Sequence, residues 1–242
     1  MQRFLRTIRT DWPRLIIELF VVVAGISISF ALDEWRRDRE DRREERRHWT
    51  AIGENLTADS AYLAKRCVQL ERIVSAYNGL LSGGPPDSLD SYMDQAISYA
   101  VFTPTQTAYH ELEQLAGSRL IRNRALLSEL TSLYNREYIR TAEWDGINRN
   151  FILDRFIPYL DETAPFVEGT GGAEQATGMS AVYRSVQKRD QFRNLVRTNK
   201  IFKDAQLSVY RAALKRAVAI RQQIRAELAG TVAQERTDRS GR

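Results

Sequence analysis

The chain has 242 residues, of which 28% are charged and 43% hydrophobic, with only 13 glycines and 6 prolines. That length and balance exclude a largely disordered chain and leave room for one or two domains with a core. The single cysteine, Cys67, excludes an internal disulfide framework, and two distant histidines, His48 and His110, argue against a metal enzyme.

The net charge of +5 is unevenly spread, because residues 50–180 carry 10 Lys/Arg against 17 Asp/Glu and residues 181–229 carry 12 against 3. A basic segment can bind nucleic acid, anionic lipid, or an acidic surface of its own fold. The acidic surface is present in the same chain, so internal or subunit pairing is the expected use and no nucleic-acid partner is expected.

Residues 1–14 read as a basic tail, with Arg3, Arg6, Arg9 and Arg14. Residues 15–35 read as a transmembrane helix. Its core, Leu15 to Leu32, contains one charge, Glu18, and is close to the roughly 20 residues that span a bilayer. Trp12 and Trp35 bracket it, about 34 Å apart along a helix, as interfacial anchors beside Arg14. A cleaved signal peptide would have a shorter apolar region and a small-residue cleavage site, which "SFALDEW" does not supply. Gly25 with Ser29 and Ser27 with Ala31 are small residues at four-residue spacing, which lets two membrane helices approach and makes a homo-oligomer the expectation. Glu18 reads as an interfacial carboxylate beside Arg14, or else as a polar contact between helices. Four arginines precede the span and seven follow it closely, yet the tail is short and long domains cross largely regardless of charge. The expected topology is a single pass through a bacterial cytoplasmic membrane with the N-terminus inside.

Residues 36–229 read as a helical extramembrane domain. Acids and arginines alternate from 33 to 47 at i,i+3 and i,i+4 spacing, which suits a solvated helix. Leu56, Ser60, Leu63, Cys67, Leu70, Val74, Tyr77 and Leu81 then form a seam, so packing is expected from Leu56 onward. One helix is expected from about Pro13 to Leu81. A short helix after Ser88 or Asp90 reaches about Phe102, and "AYHELEQLAG" closes another at Gly117. A long helix begins near Asn123 and should kink or end at Pro158. The loop "APFVEGTGGAEQATG" lacks the GK[ST] of a phosphate cradle and reads as a linker. The last helix runs from about Ala181 to Leu228 with Phe192, Leu195, Val196, Ile201, Leu207, Tyr210, Leu214, Ile220 and Ile224 inward, and 230–242 reads as a disordered tail. The fold class is all-α: a transmembrane helix continuous with a long charged helix, then an elongated antiparallel helical bundle.

Three stretches together resemble an uncharacterised family of bacterial single-pass membrane proteins, domain-of-unknown-function family 6090. They are Glu18, Gly25 and Trp35 around "VVVAGISISFALDEW"; Tyr109, Glu111, Leu112, Gly117, Leu120, Ile121 and Asn123 in the middle; and "DQFRNLVRTNKIF". The glycine at 117 stands one place later than in the family pattern. The resemblance implies a membrane location and a helical domain, and brings no activity.

No catalytic grouping is visible, so neither an enzyme nor a cofactor is expected. The expected function is a membrane-anchored interaction scaffold that associates with itself and with the bilayer. The alternative is a sensory or ligand-binding bundle signalling through a membrane or signalling partner, with a pocket around Tyr109, Glu111 and Asn123.

Overall fold

A computed structural model describes residues 2–84, 88–115, 120–163 and 179–240, and these contain helices and no strand. The first helix, α1 (Gln2–Ser82), is 81 residues long, or about 120 Å, and includes the residues read as a tail. Gly83 ends it with φ +73°, and Gly84 N–H donates to Gly79 O at 2.8 Å, the left-handed glycine stop that satisfies a terminal carbonyl. Short helices α2 (Leu89–Ile97) and α3 (Thr107–Gln114) follow. α2 therefore ends before Phe102, and residues 98–106 form a non-helical strap.

Next, α4 (Arg124–Ser132), α5 (Ile139–Phe151) and α6 (Ile157–Thr163) follow one another through two π-helical turns, Leu133–Tyr138 and Ile152–Phe156. Pro158 does not end this helical run. The ring would clash with the carbonyl four residues back in a regular helix, and the wider turn just before it removes that conflict. The linker at 164–178 lies outside the described residues. The expected last helix is two, α7 (Met179–Val186) and α8 (Asp190–Ser240), and the helical backbone runs on to Ser240 where a disordered tail was expected.

α8 lies antiparallel along α1. The Tyr183 hydroxyl donates to Leu80 O at 2.8 Å at the far end of α1, while Ile224 packs near Gly53. The buried seam of α1 is Trp49, Ile52, Leu56, Asp59, Leu63, Arg66, Leu70, Ile73, Tyr77 and Leu80, in alternating steps of three and four. The seam expected from the sequence shares Leu56, Leu63, Leu70 and Tyr77. Its other column, Ser60, Cys67, Val74 and Leu81, is flanking; Ser60 and Cys67 are buried and the other two only half-buried. In α8 the corresponding seam is Val196, Asn199, Lys203, Gln206, Tyr210, Ala213, Ala217, Ile220 and Ile224. Ile201, expected inward, is 65% exposed.

Packing also starts earlier than Leu56. Glu45 and Trp49 are buried, Arg122 N–H donates to Glu45 Oε1 at 2.8 Å, and the Arg122 guanidinium pairs with Asp38. The charged stretch is thus docked from Asp38 on, because its carboxylates receive the turn that opens α4. Basic α8 pairs with acids elsewhere in the chain, Arg211 with Glu71 at 2.7 Å and Arg216 with Glu129 at 4.0 Å.

Gly83→Ala places a side chain at positive φ and is expected to cost about 1 kcal/mol of stability. Gly146→Ala, where an added Cβ meets nothing within 4 Å in α5, is expected to gain up to about 1 kcal/mol. Urea unfolding of the two variants checks the opposite signs.

Candidate functional site

The 98–106 strap is non-helical backbone laid against the bundle core, with Phe102 only 3% exposed. Phe102 sits against Tyr62, Tyr138 and Tyr210, with ring centroids 5.4, 5.0 and 6.3 Å away. A buried backbone outside a helix must find partners for its N–H and C=O groups. They come from side chains on α1, α5, α8 and the π-turn after α4. Phe102 N–H donates to Asp145 Oδ2 at 2.8 Å, and Thr105 N–H to Asp59 Oδ1 at 3.3 Å. Lys203 Nζ donates to Ser98 O at 2.7 Å and the Tyr134 hydroxyl to Thr105 O at 3.0 Å.

Behind these contacts lies a connected polar layer. Lys203 Nζ also donates to Asn148 Oδ1 at 2.8 Å; Asn148 donates to Asn199, and Asn199 to the Tyr77 hydroxyl. Tyr77 and Asn199 both donate to Ala96 O, closing the end of α2. Asp145 accepts further bonds from Gln206 Nε2 and the Tyr210 hydroxyl, each at 2.8 Å. Asp145, Asn148, Asn199, Lys203 and Gln206 are fully buried, and Arg66 is 3% exposed.

Burial dominates the titration of this layer. It raises Asp145 above the usual carboxylate range, although Phe102 N–H, Tyr210, Gln206 and the Arg66 charge all favour the ionised form. Asp59 is raised in the same way, and Tyr134, Tyr138 and Tyr210 are pushed up by burial and by the nearby carboxylates. Burial, and then the Arg66 charge, push the Lys203 ammonium down to about 7 against the pull of Asp145. Cys67 is raised by burial, as suits a small core residue and not a nucleophile.

The residues singled out in the sequence divide into two places. Tyr109, Leu112, Leu120 and Ile121 are buried in the core, where Tyr109 stacks on Tyr134 with centroids 4.3 Å apart. Asn123 caps α4 by accepting from Leu126 N–H at 3.0 Å and donates to Glu227 at 2.8 Å. The Glu111 side chain is 59% exposed, 3.9 Å from His48, and Gly117 lies outside the described residues. These residues pack, cap and face solvent. The convergent polar groups lie instead in the Asp145–Lys203 layer, which the sequence reading missed. The available signal was charge at heptad positions, Asp59 and Arg66 in step with Ile52, Ile73 and Leu80.

The second place is the free end of α1. It holds one segment long and apolar enough to cross a membrane, with none of that stretch buried. Trp12 and Glu18 are exposed, the Arg14 side chain lies outside the described residues, and Arg39 stacks over the Trp35 ring at 4.0 Å. Ser27 and Ser29 hydroxyls donate to Val23 O and Gly25 O at 2.8 and 2.9 Å, so neither presents an unpaired donor to an apolar medium. Gly25 and Ser29 line a shallow groove of about 430 Å3 with Val21, Val22, Ile26, Phe30 and Asp33. Ser27 and Ala31 are two residues further on, roughly 200° around the helix.

Two outcomes follow for the full chain in detergent. Asp145→Ala strips three donors of their acceptor and is expected to cost on the order of 3 kcal/mol or more by urea unfolding. Lys203 is held below its ordinary value, so between pH 7 and 10 the unfolded chain binds a proton that the folded chain does not. Its contribution therefore makes stability rise with pH over that window, by at most about 1.4 kcal/mol per pH unit. Lys203→Met is expected to flatten the slope, whereas above pH 10 the raised tyrosines reverse it.

Comparison with protein-family models, with curated proteins and with solved structures finds no match to this chain.

Proposed function

We propose that this chain is a membrane-anchored helical scaffold without catalytic activity, whose apolar helix crosses a bacterial cytoplasmic membrane once and pairs with a second copy. The observation that carries this reading is the unbroken α1. Its exposed apolar segment is followed within a few residues by the contacts at Asp38, Glu45 and Trp49 that begin the bundle. A helix that is apolar around its whole circumference, with no protein against it, has lipid as its natural solvent. The likeness at Glu18, Gly25 and Trp35 to domain-of-unknown-function family 6090 supports the same reading. With docking starting at Asp38, the bundle stands directly on the bilayer surface, so motion of the bundle and of the span are coupled through one rod.

The groove at Gly25 and Ser29 supports a closely packed homo-oligomer, since an added Cβ at Gly25 meets nothing within the monomer. Crosslinking of the full chain in detergent is expected to give dimers or higher species, and Gly25→Leu to reduce them several-fold. Monomers alone would contradict the pairing. With the N-terminus inside, alkaline phosphatase fused at the C-terminus is active, and an inactive fusion reverses the topology.

A sensory, ligand-binding reading stands second. A groove of about 490 Å3 between α1 and α2 supports it, because Gln69 and Ser98 in its wall both contact the polar layer.

A further inference from the structure

We propose that the groove between α1 and α2 binds a free α-amino acid, held by its own two charges between Arg72 and Asp94. This inference rests on the ligand-binding reading of the groove and names its ligand class. One face of each helix lines the groove. Gln69, Arg72 and Ile73 stand at i, i+3 and i+4 on α1, and Ser91, Asp94, Gln95 and Ser98 at i, i+3, i+4 and i+7 along α2 and its C-cap. Arg72 and Asp94 are both exposed, on opposite walls, and neither has an ion pair or hydrogen bond among the described residues. Two opposite charges thus face one groove and stand beyond ion-pair distance of each other.

An anion gains from Arg72 and is repelled by Asp94, and a cation meets the reverse; a zwitterion satisfies both walls. The Arg72 guanidinium takes a carboxylate with two parallel hydrogen bonds, and the Asp94 carboxylate takes an ammonium through charge-assisted ones. The rest of the lining is set for polar contact. Arg66 Nη1 donates to Gln69 Oε1 at 2.8 Å, which leaves the Gln69 amide N–H groups uncommitted. Gln95 Nε2 donates to Ser91 Oγ at 2.9 Å and the Ser98 hydroxyl to Gln95 O at 2.8 Å, which leaves the Gln95 side-chain oxygen and the Ser91 hydroxyl proton uncommitted. Ile73, 1% exposed, is the apolar element of the lining, and the groove of about 490 Å3 is of small-molecule size. One Arg and one Asp leave no charge over for a third group, so the side chain that fits is neutral, and the uncommitted amides and hydroxyl suit a polar one.

The test is thermal unfolding of the full chain in detergent with L-glutamine or L-serine, against N-acetyl-L-glutamine and L-glutaminamide, which lack the ammonium and the carboxylate in turn. Each free amino acid is expected to raise the unfolding temperature saturably, by a few degrees, and the two blocked forms are not. Arg72→Gln and Asp94→Asn each remove one exposed charge that holds no other described group, so the fold is retained. Each is expected to raise the midpoint concentration by about tenfold. The blocked forms decide the matter if either variant does not fold. No shift from any of the four compounds overturns the proposal and the ligand-binding reading of the groove together. A blocked form as effective as L-glutamine overturns the zwitterion and leaves the groove as a ligand site. An amino-acid shift that survives both substitutions overturns this site.

Discussion

The constraint on which the domain depends is the pairing of the 98–106 backbone inside a helical bundle. A connector that ran over the surface would leave its polar groups to water and ask nothing of the core. Here Phe102 is drawn under Tyr62 and between Tyr138 and Tyr210, and its burial carries the adjoining peptide groups in with it. Asp59, Asp145, Lys203 and Tyr134 then meet those groups from α1, α5, α8 and the π-turn after α4. The long helices are locked in register at this level because each supplies a side chain whose partner is fixed. Without the strap, Asp59, Asp145 and Lys203 would each lose a hydrogen-bond partner while staying buried, and an apolar core would be the more stable choice.

Much of the architecture was legible in the residues. The all-helical character, the apolar first segment, the end of the first helix near Leu81 and one apolar column of α1 follow from spacing and composition. The polar layer was not legible, for a physical reason. A heptad read by hydrophobicity passes over Asp59 and Arg66 and takes Ser60 and Cys67 in their place, which shifts half the seam by one residue. In α8 the same preference selects Ile201, which faces solvent, and skips Asn199, Lys203 and Gln206, which are fully buried. The backbone groups that partner Asp59, Asn199 and Lys203 lie 46, 103 and 105 residues away in the chain, and no local pattern announces them. Of the residues expected around a pocket, Tyr109 stacks into the core and Asn123 works as a helix cap.

The same long-range pairing explains where the bundle begins. Alternating charges from 33 to 47 suffice for a helix in water, so sequence spacing gives no cause to expect contact there. Contact comes from Arg122, whose backbone and guanidinium reach Glu45 and Asp38 at the turn opening α4. The docked part of α1 therefore starts within a turn of Trp35, and in the proposed reading the bundle sits on the membrane and not on a stalk above it.

Amide hydrogen exchange on the full chain in detergent tests the central claim most directly. If the strap is held by Asp145 and Asp59, the Phe102 and Thr105 amides exchange as slowly as the buried turns of α1 and α8 around Leu63 and Tyr210. Exchange of both amides at the rate of an open loop, with α1 and α8 still protected, would contradict it.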